Sequence, residues 1–210
     1  MAQYLSIHPT HPQARLLKRA ADIVRRGGLI AYPTDSCYAL GCHLGDAGAL
    51  GRLRKLRGIG ERHHLTLMCR NLSEIARYAI VDDAKFRLLK AATPGSYTFI
   101  LPARREVPRR VMHARRRTIG VRVPDHAVAH ALLAELDEPL LSATLSLPGE
   151  PLPLSDGEAI LARLERELDV VIDGGPCGVQ PSTVIDLTGD APLVVRQGKG
   201  SLAPFAVEPV

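Results

Sequence analysis

Side chains able to do chemistry gather in short clusters where apolar runs end. Tyr32-Pro33-Thr34-Asp35-Ser36-Cys37-Tyr38 follows the apolar run Leu29 to Tyr32 and leads into Gly41. Hydroxyls on a tight turn can fix a small polar ligand or cap the turn itself, and this spacing allows both. Lys55-Leu56-Arg57 stands just before Gly58. Two cations one residue apart can clamp adjacent phosphates, or they can complement the dipole at the end of a helix. Thr93-Pro94-Gly95-Ser96-Tyr97-Thr98 is a turn feeding a strand. In Thr118 to Pro124, alternation sets Arg122 on the face of Gly120 and Pro124. An arginine on a half-buried strand needs a partner, either a carboxylate of the protein or an anionic ligand. Ser142-Ala143-Thr144-Leu145-Ser146 carries hydroxyls on alternate positions. Pro181-Ser182-Thr183-Val184-Ile185-Asp186 is followed by Arg196-Gln197-Gly198.

Common catalytic patterns are missing. The chain has no Gly-x-Gly-x-x-Gly and no Walker A sequence, and Ser36 lacks the flanking glycines of a nucleophile elbow. Cys37, Cys42, Cys69 and Cys177 form no Cys-x-x-Cys pair. The neighbours Cys42-His43 and His63-His64 lack zinc-site spacing and read as buried thiols and loop histidines, so no metal ligand is assigned.

These clusters must be held by ordinary globular structure. The 210 residues, 46% hydrophobic and 23% charged, suit one domain, residues 1–210 with a core from about 12 to 200, able to bury a core without disulfides. Long disorder and collagen are excluded. No apolar stretch reaches membrane-span length and Met1 to Thr10 is no signal peptide, so a soluble cytoplasmic protein with no membrane partner is expected.

Helical patterns cover Pro12 to Arg26, Ala47 to Leu56 with Asp46 as N-cap, Ser73 to Tyr78 and Asp82 to Ala91. Two more start at Asp125 and at a Ser155/Glu158 capping box. Strand patterns cover Leu29 to Tyr32, Leu65 to Cys69, Ser96 to Leu101, Thr118 to Val123, Leu140 to Thr144, Val170 to Asp173, Thr183 to Leu187 and Leu193 to Arg196. Interleaving along the whole length predicts α/β with a mixed sheet.

Charge is uneven. Arg104, Arg105, Arg109, Arg110, Arg115, Arg116 and Arg117 are opposed within their run only by Glu106, so that run carries +6 of a whole-chain +5 and the rest sums to −1. The run could meet nucleic-acid phosphates, or it is a solvated loop. Aromatic residues at 4% and the absence of Trp argue against a base-stacking platform.

In this order, Tyr32 to Gly41, Lys55-Leu56-Arg57, Pro94-Gly95 with Thr98, Arg122 to Pro124, Ser142 to Ser146, Pro181 to Asp186 and Arg196 to Gly198 resemble the YrdC/YciO family. Its best-known members are threonylcarbamoyl-AMP synthases. The resemblance spans about Gly27 to Gly198, and Met68 to Ser73 with Ser142 to Gly149 is most similar to the YciO branch.

The resemblance implies a single twisted mixed-sheet domain of the YrdC/RibB-like type with a positively charged concave cavity. It implies a nucleotidyltransferase using ATP, with possible Mg2+, and L-threonine and bicarbonate. The products would be threonylcarbamoyl-AMP and pyrophosphate, serving threonylcarbamoyladenosine modification of tRNA. By the same resemblance, Lys55 and Arg57 would be catalytic and hold phosphates. Thr34, Tyr38, Thr98 and Arg122 would bind substrate. Ser142, Thr144, Ser146, Ser182 and Arg196 would bind nucleotide. Two departures stand out: Gly58 replaces the proline of Lys-x-Arg-Pro, and Thr144-Leu145-Ser146 replaces Ser-x-Asn. Ser146 is shorter than an Asn amide, and the loss of one polar partner is expected to weaken ATP contacts by about 1–3 kcal/mol. The alternative is a protein that binds double-stranded RNA, tRNA or rRNA through the Arg104 to Arg117 run, without synthase activity.

Overall fold

The structure, a computed structural model, describes residues 1–205. In chain order the elements are β1 (Gln3–Ser6), α1 (Ala14–Arg25), β2 (Ile30–Tyr32), β3 (Ala39–His43), α2 (Ala47–Arg57), β4 (Thr66–Met68), α3 (Leu72–Tyr78), α4 (Asp83–Ala92), β5 (Tyr97–Pro102), β6 (Thr118–Arg122), α5 (Ala127–Leu136), β7 (Leu140–Thr144), α6 (Gly157–Leu164), β8 (Val170–Asp173), β9 (Thr183–Asp186) and β10 (Leu193–Arg196), then a 3-10 turn at Ala203–Phe205. The strands join in one mixed sheet ordered β1-β8-β2-β3-β7-β4-β6-β5-β9-β10. This is the α/β mixed sheet the sequence predicts.

Two elements escaped the pattern. β1 is four residues long and pairs in parallel with β8, whose residues lie far along the chain. β3 reads as the tail of the Tyr32 to Gly41 cluster because Gly41 and Cys42 are weak strand formers, yet it is paired on both sides, by β2 and by β7. Two caps also differ from expectation. Asp46 caps α2 as predicted, accepting from the Ala49 amide at 2.7 Å. Helix α5 starts after His126 rather than at Asp125, with no side-chain cap. The cap of α6 is Asp156, which accepts from Ala159, in place of Ser155. Gly157 sits so close to Asp173 that a Cβ there would lie 2.8 Å from it, so the first turn must begin at that glycine.

The sheet buries two cores. On one face, Leu17, Ala20, Ala21, Ile23 and Val24 of α1 and Val128, Leu132 and Leu133 of α5 pack on Ile30, Tyr32, Val170 and Ile172. Each fully buried aliphatic side chain there contributes about 1.5–3 kcal/mol. The opposite face carries Leu67, Phe99, Leu101, Val121, Leu141 and Ile185 against α2, α3, α4 and α6. The second face is filled from end to end. On the first, the core under α1 and α5 spans β1, β8, β2 and β3 and reaches Leu140 of β7 and Met68 of β4. Farther along, alternate residues of β4, β5, β6, β7 and β9 on that same face line a cavity instead.

Candidate active site

The cavity measures about 700 Å³. Its floor is a strand-by-strand row: Thr66 and Met68 of β4, Thr98 and Ile100 of β5, Arg122 of β6, Ser142 and Thr144 of β7, and Val184 of β9. Gly120 keeps the floor open. A Cβ at this position would meet the Leu65 carbonyl at 2.9 Å, Thr66 Oγ1 at 3.0 Å and Thr98 Cγ2 at 3.3 Å. The walls come from the turn after β2, the segment after α2, the loop after β7, and the β9–β10 hairpin.

The turn after β2 is braced by an arginine. Arg122 and Asp35 are almost fully buried and 2.5 Å apart, and Arg122 also donates to Ser36 Oγ at 2.9 Å. Ser96 Oγ donates to the other Asp35 oxygen at 2.5 Å. Burial alone would raise the Asp35 carboxyl, but Arg122 and Ser96 hold it below the usual carboxylate range. The partner Arg122 requires is thus a carboxylate of the protein, although its buried Nε has no partner. Thr34 Oγ1 closes the turn on the Cys37 carbonyl at 2.6 Å.

At the opposite wall, Arg57 ends α2, and Gly58 in the left-handed region (φ 62°) turns the chain away. Arg57 donates to the Ser146 carbonyl while its buried Nε stays unpartnered. Arg196, at the end of β10, donates to the Ser182 carbonyl through Nε and Nη2 at 3.2 and 2.9 Å. Burial, then the charge of Arg196, lowers the Arg57 pKa; burial also lowers that of Arg196. Both remain cations at neutral pH. The hairpin is clasped at its base. A Cβ on Gly198 would lie 2.1 Å from the Pro181 carbonyl, and Thr183 Oγ1 ties Gly198 to Gly200. The Pro181 and Arg196 clusters, distant in the chain, are therefore one structural unit.

Most residues nominated from the sequence converge here: Thr34, Tyr38, Arg57, Thr98, Arg122, Ser142, Thr144, Ser146, Ser182 and Arg196 all line the cavity. Several hydroxyls are already engaged. Ser142 Oγ donates to the Leu40 carbonyl at 2.8 Å and meets Tyr32 Oη at 2.8 Å. Thr98 and Ser182 bond each other at 2.8 Å. Tyr38 presents its ring, but its hydroxyl donates toward Gly175 O (2.9 Å) and Asp173 Oδ1 (3.2 Å), so that oxygen does not face a substrate.

Lys55 is the exception. It is exposed and lies outside the cavity lining. Residues two apart on a helix diverge by about 200°, so Lys55 and Arg57 leave α2 on different sides. The sequence reading missed Arg62, His63 and His64, which line the cavity directly after Gly58. Their signal was a basic and imidazole-rich stretch just past a helix end carrying Arg57. His64 Nε2 meets Thr118 Oγ1 at 2.9 Å, and its ring stacks on His113 at 4.6 Å. Burial, with His113 and Arg116 nearby, pushes its pKa down to about 4.

The arginines of the 104–117 loop lie apart from all this. Every one is exposed and none lines the cavity. Val107 and Val111 pin the loop to the core, Arg110 donates to the Gly45 carbonyl, and Arg116 approaches Asp186 at 3.5 Å. No helix of the described residues is long and apolar enough to cross a membrane, and none of them form a cluster of three His, Cys, Asp or Glu able to hold a metal ion.

The overall geometry matches known structures. The crystal structure of Escherichia coli YciO superposes with a TM-score of 0.95 over 98% of this chain and 100% of that one, at 52% identity. The crystal structure of Pyrococcus abyssi Sua5 complexed with L-threonine gives a TM-score of 0.86 at 27% identity, covering 94% of this chain and 58% of that one. A threonylcarbamoyl-AMP synthase of Chromobacterium violaceum is 35% identical over 85% of this chain and 92% of its own length. The Sua5/YciO/YrdC family model, described as telomere recombination, matches residues 22–198, and with the sheet, the cavity and these relatives it establishes that the chain belongs to that family.

Proposed function

We propose that the chain is an adenylate-forming nucleotidyltransferase of the threonylcarbamoyl-AMP synthase type. Its substrates are ATP, L-threonine and bicarbonate. The observation that carries this reading is the lining of the cavity. Arg57, Arg62, Arg122 and Arg196 line it together with hydroxyls, and no Asp or Glu does among the described residues. Such a lining suits a polyanion beside a small zwitterion. The synthase names of the relatives and the L-threonine complex of Sua5 supply the substrate class.

In this reading the threonine amine captures bicarbonate as a carbamate with loss of water. A carbamate oxygen then attacks the α-phosphorus of ATP, the α–β phosphoanhydride bond breaks, and pyrophosphate leaves with the electron pair. This chemistry needs positioning and charge neutralisation more than a covalent nucleophile. Arg57 and Arg196, close enough for their charges to act on one another, hold the phosphates. Arg122, fixed by Asp35, orients the threonine carboxylate beside Thr34. Thr144, Ser146 and Ser182 hydrogen-bond the nucleotide. Among the described residues no three His, Cys, Asp or Glu gather to hold a metal ion, so magnesium in this reading would be held mainly by the ATP phosphates.

The test is formation of threonylcarbamoyl-AMP and pyrophosphate by purified protein, with Arg57→Ala as control. Product that disappears in the variant supports the reading; no product from folded wild-type protein rejects it.

A second reading rests on a different surface. The seven loop arginines are exposed, and Arg54 of α2 donates to the Arg110 carbonyl at 2.9 Å, bringing the helix that carries Lys55 against the loop. RNA phosphates are the partner this surface suits. Replacing Arg115, Arg116 and Arg117 together by Ala should flatten the salt dependence of RNA binding by about 2–3 units of slope. Unchanged affinity for RNA would remove the loop from consideration.

A further inference from the structure

The segment between α2 and β4 brings an unassigned imidazole into the cavity. His63 lines it, and its backbone amide is tied to the Gly60 carbonyl at 3.1 Å. Its neighbour His64 is occupied by Thr118 and His113, whereas the His63 ring makes no hydrogen bond among the described residues. The charged groups acting on that ring from other elements are Arg57 at the end of α2 and Arg196 at the end of β10. On its own segment stand Glu61, Arg62 and His64. The residue is exposed on its solvent side; desolvation of the ring by the cavity wall, then the charges of Arg57 and Arg196, hold it below the usual imidazole range. Arg57 and Arg196 each spend donors on a backbone carbonyl, and the buried Nε of Arg57 is left over.

We propose that His63 is a proton-coupled phosphate ligand, neutral in the empty cavity and taking up a proton when a polyphosphate lies between Arg57 and Arg196. It then becomes the third cation on that ligand. The physical reason is a reversal of local field. Without an anion the ring faces two positive charges; with one bound it faces their counter-charge, and protonation changes from costly to favourable. The coupling is reciprocal: whatever raises proton affinity at His63 makes phosphate binding stronger as protons become available. This rests on the phosphate site of the proposed function. In that reaction, the proton on His63 offsets charge on the departing pyrophosphate.

Inorganic pyrophosphate is the probe, and imidazole proton–nitrogen NMR on the wild-type protein is the readout, with His63→Gln to assign the signal. The expected result is that saturating pyrophosphate raises the His63 titration midpoint by about 1–2 units while His64 stays in place. The ratio of pyrophosphate Kd in His63→Gln to that in wild type should grow toward about tenfold as pH falls from about 8 to 6. The ligand's own titration is common to both proteins and cancels in that ratio. If pyrophosphate binds and depends on Arg57, but the midpoint and the ratio do not move, His63 is a bystander and the phosphate site survives. If pyrophosphate fails to bind, or binds equally well to Arg57→Ala, the phosphate site itself is wrong and the inference falls with it.

Discussion

The protein keeps two populations of arginine, and they behave as different chemical objects. Those of the cavity are graded: Arg122 is buried against Asp35 and Arg57 is half-buried, each with an Nε group left over, while Arg62 and Arg196 stand exposed, Arg196 held by the Ser182 carbonyl. Those of the 104–117 loop are exposed and mostly wetted. Coulomb energy per pair rises steeply as water is excluded, while exposed charges are screened within about 10 Å at ordinary salt. The loop dominates the sequence charge, yet the cavity is where one anion would gain most. Counting cations along a chain therefore points to the loop, and asking which cations are dehydrated points to Arg57 and Arg122.

This contrast can be broken at several points. Arg122→Ala should have the largest effect, because it strands a buried carboxylate: a loss of about 3–5 kcal/mol in urea unfolding. Stability within 1 kcal/mol of wild type would mean that Asp35 is better solvated than its burial indicates. Arg57→Ala should weaken ATP and pyrophosphate binding by about 30- to 150-fold, equivalent to about 2–3 kcal/mol for a charged hydrogen-bonding partner. Lys55→Ala, with both variants measured by titration calorimetry, should change it less than threefold. Equal losses in both variants would bring Lys55 back to the phosphates.

A smaller effect concerns His64. Its folded pKa is about 4 and lies below that of the unfolded chain, so the unfolded state binds more protons between about pH 6.5 and 4. Stability should therefore fall as pH drops through that window and level off below it. For a half-exposed ring the loss is about 1 kcal/mol after screening. His64→Gln can keep the Thr118 contact, and its stability curve should lack that slope relative to wild type.

The sequence made the sheet legible wherever a run was apolar and long enough, as in β7, β8 and β10, whose limits match the pattern. It hid β3 because glycine and cysteine carry little strand signal, and β1 because a four-residue edge draws its order from β8. The site was legible through alternation: Arg122, Ser142 and Thr144 could be set on one face by counting twos. Lys55 is set beside Arg57 by nearness in the chain and by the family resemblance, and nearness in a helical sequence does not put two side chains on one side. His63 and His64 read only as loop histidines, because a basic, imidazole-rich stretch after a helix end does not by itself tell a solvated loop from one turned along a cavity. The commitment of Tyr38 to Asp173 and Gly175 depends on strand order, which no local pattern records.

The uncovered half of the first sheet face has a consequence for solubility. A bare strand surface made of valine and isoleucine would be a patch for self-association. Here the part of the floor that water reaches includes Thr66 and Thr144, half-buried side chains that fit the pleat as β-branched aliphatic ones do but carry a hydroxyl, while Thr98 and Ser142 are buried and hydrogen-bonded within the protein. The empty protein can thus leave a broad concave sheet in contact with water without inviting a second copy onto it. Exchanging Thr66 and Thr144 for valine would keep the shape of the floor and make the hollow more adhesive.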